Sequence, residues 1–357
     1  MISIRDLIEK TTSQSEQQRE VRQAERTNLS QMRDAAFEVV TTEPELYQKY
    51  LTLQADNIRC SAGNVALTLI QLPDASRIGS IDYWHSVGRY VQDEAMQNGA
   101  KVFVPPRNKN ARGYFMGIYY DISQTTGRPL EGQAVIPEGS PKLIAALEPL
   151  MQGARAALKE DNTLEQSAYY DPNTMTILVN TEHPAHDVFA ALAVESVHAR
   201  MHNQGRNTQY NREAYQIDAE SIGYMVCRRF GVPCKLPDAS ELAASFDGCD
   251  PAMRGTYLEE QRQTAKSIGD SIDRTINPKQ QEQRRGRPAY TRYGGVFPSP
   301  ESTSSPRKRQ GRKMLAHFPR ADQSADWSDL DAHISPPYTV SKGNTPQKPS
   351  CDGFLIL

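Results

Sequence analysis

The residues best suited to chemistry lie in one alanine-rich stretch and in the segment that follows it. Glu195, His198 and His202 are spaced at i, i+3 and i+7, so they share one face of a helix predicted over residues 190–202. A second segment with helical periodicity begins eleven residues after His202 and carries Glu220. We therefore predict two consecutive helices, joined by a polar loop, that direct carboxylates and imidazoles at one region.

The first stretch is close to the pattern His-Glu-x-x-His, in which two histidines one helical turn apart hold zinc and the glutamate polarises the bound water. Val194 stands where the first histidine would be, and a valine side chain cannot ligate a metal. Zinc is thus the cofactor that the pattern indicates, with one ligand missing. The donors that remain in this frame are too few for the four-coordinate sites that zinc prefers.

Three arrangements remain open for these side chains. His202 lies one turn beyond His198 and could form a displaced pair of zinc ligands with it. His183 or His186 could instead reach in from the preceding segment. Without a metal, His198 could be a core histidine whose ring N–H pairs with one of the two glutamates in a buried polar network.

The charge of the chain is unevenly distributed between body and tail. The 357 residues have room for two domains and carry a formal net charge of -2. Residues 278–357 contain 13 Lys and Arg against 7 Asp and Glu, a charge of +6, which leaves -8 for the residues before them. Because the tail is rich in Arg, Pro, Ser and Gln, we predict disorder over 277–357 and either a solvated tail or a contact with a polyanion.

Cysteine usage and hydropathy indicate a cytoplasmic protein. The five cysteines are odd in number and have no CxxC spacing, which favours buried thiols in a reducing compartment over a disulfide framework. No apolar run approaches the length of a membrane span, and the first residues lack a signal-peptide core. No membrane partner is therefore expected.

The chain before the tail divides into segments that differ in charge, in hydrophobic pattern and in Gly and Pro content. Residues 1–44 read as a charged helical extension. Residues 45–126 alternate short apolar strands with one or two helices, which predicts a small α+β domain. A linker rich in Gly and Pro over 127–142 precedes a mainly helical domain over 143–276, in which residues 166–180 form a hairpin. The predicted fold class is therefore α+β.

Residues 45–126 contain side chains of the kind that bind single-stranded nucleic acid. A platform of aromatic rings and cations on which bases stack could be formed by Trp84, Tyr83, Tyr90, Arg89 and Lys101. The alternative is that Trp84 and Tyr90, six residues apart on an amphipathic helix, belong to the core.

The same region resembles a known family. Its motifs are similar to the N-terminal single-stranded-DNA-binding domain of the C-type antirestriction proteins (ArdC) and their LtrC-like relatives on conjugative elements. The segments concerned are 53–67, 83–91, 99–105 and 120–125. The resemblance implies single-stranded DNA as a partner, with contacts at Asn64, Trp84, Arg89 and Lys101.

The second half resembles a peptidase domain. The hairpin, the two helices and the motif over 219–231 are similar to the ImmA/IrrE-like metallopeptidase domain, over roughly 143–276. The resemblance implies Glu195 as the general base and His198 and Glu220 as zinc ligands. The order of the two domains is also that of ArdC-like proteins.

Together these features predict a single-stranded-DNA-binding accessory protein of a mobile element, of the antirestriction or conjugation type, with a zinc-peptidase-like domain that is impaired at Val194. The alternative is an active zinc-dependent endopeptidase of the ImmA/IrrE type that cuts a peptide or protein substrate. A third interpretation is a scaffold whose basic tail and charged N-terminal helix recruit partners.

Overall fold

The structure is a computed structural model that describes residues 4–106, 113–130, 132 and 135–278. The basic tail, which is predicted to be disordered, lies outside the described residues from position 279 onward. In the described part, helices and short strands are mixed, and the predicted α+β class is confirmed. None of the helices in these ranges combines the length and the apolar character that crossing a bilayer requires.

Three helices come first. They are α1 (Ile4–Thr42), α2 (Pro44–Asp56) and α3 (Ala62–Gln71). Pro44 occupies the first turn of α2, where no backbone N–H is needed for the helical hydrogen bonds. In α1, residues 10–28 are exposed, whereas four of the apolar positions that follow are buried. These buried positions are Leu29, Ala36, Phe37 and Val40.

Two small antiparallel sheets follow. Their elements are β1 (Ile78–Gly79), α4 (Ile81–Ser86), β2 (Arg89–Val91), β3 (Ala100–Val104), β4 (Phe115–Asp121) and β5 (Thr125–Gly127). The three-stranded sheet has the order β1-β4-β3, with Val102 opposite Gly117, and β2 pairs with β5. β3 therefore lies at one edge of its sheet.

Helix α4 is shorter than the sequence suggests. The helix predicted to carry both Trp84 and Tyr90 ends at Ser86, because Gly88 adopts a left-handed φ of 75° that glycine takes readily. Tyr90 thus lies on β2 and is exposed, while Trp84 stays in α4 and is buried. The two rings do not share one helix face.

The edge of β3 is covered by side chains of α3 in place of another strand. The Asn64 amide donates to the Phe103 carbonyl oxygen at 2.7 Å and accepts from the Phe103 N–H at 3.1 Å. Two turns later, the Gln71 amide does the same with Lys101, at 3.0 and 2.9 Å. We call this pair of side chains the amide clamp, because it satisfies backbone groups that an edge strand would leave open.

The second half begins with a helix and a mixed sheet and ends with four helices. Its elements are α5 (Pro141–Gly153), β6 (Ala157–Glu160), β7 (Ala168–Asp171), β8 (Thr176–Val179), α6 (Ala185–His202), α7 (Arg212–Phe230), α8 (Leu242–Ser245) and α9 (Pro251–Ile276). β7 and β8 form the predicted hairpin, and β6 pairs with β8 in parallel. Apolar periodicity over 143–158 predicts one helix, but α5 ends at Gly153 and Arg155 adopts a left-handed φ of 54° before β6 begins.

One principal core includes residues from both halves of the chain. Phe37 and Tyr47 from the first helices pack in the same cluster as Leu192 of α6, Ile222 of α7 and Ile268 of α9. The segment 127–142 therefore separates parts of the chain that share a core. The domain boundaries stay a prediction.

Replacing Asn64 by alanine should lower the free energy of unfolding by about 1–3 kcal/mol, because two backbone groups of Phe103 lose their partner. Equilibrium unfolding in urea measures the difference. Lys101→Ala is the matched control, since the Lys101 side chain is exposed and Gln71 contacts its backbone alone. We expect a change within about 0.5 kcal/mol for the control. Equal destabilisation of the two variants would contradict a role for the clamp.

Candidate functional site

The two site helices cross closely at Gly223. α6 ends at His202, because the next residue, Asn203, adopts a left-handed φ of 48°. Asn211 caps the start of α7 by accepting from the Glu213 N–H. A Cβ built on Gly223 would lie 2.6 Å from Val194 Cγ2 and 3.3 Å from the Val194 nitrogen. Val194 therefore packs directly on the backbone of α7, in the sequence position where the zinc motif has its first histidine.

Glu195 is engaged in a buried ion pair. The Arg212 guanidinium donates to both carboxylate oxygens, with Nη2 2.6 Å from Oε1 and Nη1 2.8 Å from Oε2. The Tyr170 N–H adds a third bond, to Oε2 at 2.8 Å. Arg212 also lies over the Tyr169 ring, 4.6 Å from its centroid. Because Glu195 is only 6% exposed, this Arg212–Glu195 pair fixes the carboxylate that is predicted to be the general base.

His198 is held in a directed chain of hydrogen bonds. Its Nε2 lies 3.2 Å from Gln216 Oε1, which can only accept, so Nε2 carries the proton. Its Nδ1 then accepts from the Tyr210 hydroxyl at 3.2 Å. Gln216 continues the chain, since its Nε2 donates to Glu220 Oε1 at 2.6 Å. A buried network around His198 is therefore present, but Gln216 stands between His198 and Glu220.

Burial decides the charge of His198. Loss of solvent lowers its pKa to about 3, and the nearby Arg212 charge acts in the same direction, against the opposing effect of the Gln216 hydrogen bond. The imidazole is therefore neutral at neutral pH, as the directions of its hydrogen bonds require. Neither ring nitrogen is available to a further partner in this arrangement.

The other histidines of the region have partners of their own. His202 Nδ1 lies 2.8 Å from the Tyr170 hydroxyl, and its ring stacks on Tyr210 with centroids 4.7 Å apart. His183 and His186, the remaining candidates for rescue of a metal site, bond elsewhere. Their partners are Ser167 for His183, and Glu138 with the Ile136 carbonyl oxygen for His186.

The residues present do not fit a zinc ion. Within the described ranges, no group of three or more His, Cys, Asp and Glu side chains is placed to hold a metal. A ligand must offer a lone pair, yet both nitrogens of His198 are engaged and Val194 offers none. Of the other predicted ligands, Glu220 is joined to His198 through Gln216, and His202 bonds to a tyrosine.

Helix α7 also carries a buried acid that sequence reasoning missed. Asp218 Oδ1 accepts from Gln261 Nε2 at 2.9 Å, and Gln261 Oε1 in turn accepts from the Tyr47 hydroxyl at 3.1 Å. Burial raises the pKa of Asp218 to about 6, although hydrogen bonds from Tyr257 and Gln261 oppose the shift. The network joins α2, α7 and α9 inside the core.

Two of the residues predicted to contact DNA serve the fold. The Trp84 ring has no exposed surface, and its Nε1 donates to the Tyr120 carbonyl oxygen at 3.1 Å. This placement favours the core alternative for Trp84. Asn64 forms half of the amide clamp, so its amide donor and acceptor are used by Phe103.

The other members of the predicted platform are Arg89, Lys101, Tyr83 and Tyr90. Arg89 donates three hydrogen bonds to β5 and to the residue after it, which engages its guanidinium. Lys101 is exposed, as a DNA contact requires. Tyr83 and Tyr90 are 42% and 59% exposed, and Tyr90 lies against His85 with ring centroids 5.1 Å apart.

Comparison with known proteins finds matches of low similarity. No family model matches it. It is 22% identical over 260 residues to an uncharacterized protein of Bacillus anthracis; the match covers 62% of this chain and 42% of that protein's length. It is also similar to the solved antirestriction protein ArdC from plasmid R388. The metal-free structure gives a TM-score of 0.39 at 17% identity, and the Mn(II)-bound structure 0.37 at 19%.

Each structural match covers 60% of this chain and 84% of the ArdC chain.

Arg212→Ala should lower the free energy of unfolding by about 3–5 kcal/mol, because it leaves the Glu195 carboxylate buried without its cation. Urea unfolding at neutral pH measures the change. Arg206→Ala is the matched control, since Arg206 is an exposed arginine of the α6–α7 connection and should change stability by less than about 0.5 kcal/mol. Adding Glu195→Gln to Arg212→Ala should restore part of the loss, and no restoration would contradict the ion-pair explanation.

Stability should depend on pH through Asp218. Its pKa is raised from 3.8 to about 6 in the fold, so the folded state binds this proton more tightly than the unfolded chain does. The stabilisation is therefore full below about pH 4 and is lost as the pH rises through about 6. Unfolding free energies of wild type and Asp218→Asn across that window should differ in slope.

The exposed Asp247→Asn is the control and should keep the wild-type profile. The pKa of His198 is lowered, so its contribution to stability has the opposite sense and is lost as the pH falls. This contribution is the same in wild type and in both variants, so it cancels in the comparison. Parallel profiles for wild type and Asp218→Asn would show that Asp218 does not titrate in this range.

Proposed function

We propose that this chain is a single-stranded-DNA-binding accessory protein of a mobile element, of the antirestriction or conjugation type, in which α6 and α7 act as a structural centre. The observation that carries the structural role of α6 and α7 is the Arg212–Glu195 pair. The general base of a zinc peptidase must accept a proton from metal-bound water, whereas the Glu195 carboxylate already accepts three hydrogen bonds.

The ligand positions support the same conclusion. The Val194 side chain occupies the space between α6 and α7. A larger side chain at position 194 would press on the Gly223 backbone. His198 is neutral and engaged at both nitrogens. These groups satisfy one another, which is what a core requires and what an open metal site avoids.

The DNA-binding part of the proposal is supported by residues 45–126. Their motifs resemble a single-stranded-DNA-binding domain, and the region presents exposed aromatic rings at Tyr83 and Tyr90 and an exposed cation at Lys101. Rings stack on bases of any sequence, and cations attract the phosphate backbone. The role in antirestriction or conjugation follows from the motif resemblance.

Binding of the full chain to a fluorescently labelled single-stranded oligonucleotide tests the proposal. We expect an anisotropy increase at about 50 mM salt and a much smaller one at about 200 mM. Binding releases counterions from the DNA phosphates, and this release becomes less favourable as the salt concentration rises. A duplex of the same sequence is the comparison and should bind more weakly, since its bases are not free to stack. Absence of binding to the single strand at the lower salt would refute the proposal.

Metal analysis of the same preparation tests the structural role of α6 and α7. Protein that is incubated with zinc and freed of unbound ion should retain well below one equivalent, and His198→Ala should retain the same amount. One equivalent of zinc that is lost in His198→Ala, together with peptide cleavage by the wild type, would instead establish the zinc-dependent endopeptidase.

A further inference from the structure

The exposed half of α1 segregates its charges. Arg19, Arg22, Arg26 and Arg33 follow one another at spacings of three, four and seven residues. At 100° per residue, these positions fall within a sector of about 60° on the helix surface. The arginines therefore form one stripe along the helix.

No acidic residue of positions 10–42 shares that stripe. The nearest carboxylates in angle lie about 60° to either side of it, on flanking faces of the helix. The acidic residues of this part of α1 are Glu16, Glu20, Glu25, Asp34 and Glu38. Glu16 and Glu25 lie three residues from Arg19 and Arg22, close enough on a helix to offset part of their charge, whereas no carboxylate lies three or four residues from Arg26. The stripe is thus a cationic surface that suits an anionic ligand.

The arginine stripe continues the buried face of α1 beyond the core. Phe37 and Val40 lie in the same angular sector as the arginines, Leu29 lies within about 20° of it, and all three are buried. Residues 10–28 are all exposed, and they extend the helix by about 27 Å at 1.5 Å per residue. The face that packs on the protein in the second half of α1 therefore presents arginines to solvent in the first half.

The stripe meets the rest of the protein beside an exposed aromatic ring. A Cβ built on Gly113 would lie 3.7 Å from Arg26 Nη2, so the Arg26 guanidinium lies next to the start of β4. Two residues further, Phe115 is 54% exposed. At the inner end of the stripe, Arg33 is already paired with Asp34, with Nη2 3.0 Å from Oδ1, and it lies 5.8 Å from the Phe37 ring centroid and 5.7 Å from that of Phe103. Cations and a free aromatic face thus occur at one junction.

We propose that Arg19, Arg22 and Arg26 form a phosphate-binding face for single-stranded nucleic acid, and that Phe115 stacks on a base at its inner end. Guanidinium groups bind phosphate bidentately, and an exposed ring accepts any base. This arginine face lies on α1, outside the segment 45–126 in which sequence motifs predict DNA contacts. The inference rests on the proposed function, since it specifies where the nucleic acid binds.

The test is a triple variant, Arg19→Gln with Arg22→Gln and Arg26→Gln, in the full chain. Glutamine forms helices about as well as arginine, so circular dichroism and thermal unfolding should be unchanged. Affinity for a labelled single-stranded oligonucleotide should fall at least about tenfold at about 50 mM salt. The slope of log affinity against log salt should become shallower by about 2, at about 0.7 for each phosphate that the variant no longer neutralises.

A charge-matched variant controls for net charge. Lys142→Gln, Lys159→Gln and Lys235→Gln remove the same charge from exposed positions in the second half of the chain. This control should keep the affinity of the wild type to within about twofold and should keep its salt slope. Equal losses in the two triple variants would overturn the assignment, because they would show that total charge alone sets affinity.

Phe115→Ala separates stacking from charge. It should weaken binding by about 5- to 160-fold, which corresponds to one stacked base, and should leave the salt slope unchanged because no cation is removed. Unchanged affinity in Phe115→Ala would overturn the stacking contact.

The failure of this inference is distinguishable from the failure of the proposed function. A wild type that binds no single strand at low salt refutes both. A wild type that binds, together with an arginine variant that binds equally well and with the same slope, overturns the arginine face and leaves the proposed function in place. Preferential loss of duplex binding in the arginine variant would likewise contradict a single-stranded ligand.

Discussion

The ion pair between Arg212 and Glu195 is the constraint on which the region around α6 and α7 depends. A buried carboxylate is tolerated when partners compensate both its charge and its lone pairs, and Arg212 with the Tyr170 N–H does so. Arg212 opens α7, Glu195 lies within α6 and Tyr170 lies on β7, so three elements are fixed to one another. A carboxylate cannot hold these elements together and also remain free to accept protons from a substrate.

The close approach of α6 and α7 at Val194 and Gly223 follows the same logic. An aliphatic side chain lets the helices come together, whereas a metal with its ligands would need space between them. His198 then takes its partners from protein, through Tyr210 and Gln216, and stays neutral. The absence of the first ligand, the tight crossing and the neutral network are therefore consistent parts of one packing solution.

Local patterns in the sequence predict α6, α7 and the β7–β8 hairpin, because helical and alternating periodicities record which face is buried. They do not predict which side chains bond to one another, because those contacts join distant parts of the chain. Arg212 carries a hint, since a positive charge in the first turn of a helix is unfavourable without a specific anion. Gln216 carries none, because a neutral amide is ordinary on any helix. Likewise the helix expected through Trp84 and Tyr90 fails at one backbone angle, that of Gly88.

The amide clamp bears on how other chains can associate with this one. A bare sheet border is a template on which foreign strands assemble, and it is the usual starting point of strand exchange and fibrous aggregates. At Phe103 and Lys101 the main-chain groups are already taken by Asn64 and Gln71. An incoming peptide would first have to displace the side-chain amides of Asn64 and Gln71, which are anchored on α3. Strands of neighbouring or partly folded chains therefore cannot readily pair with this edge of the sheet.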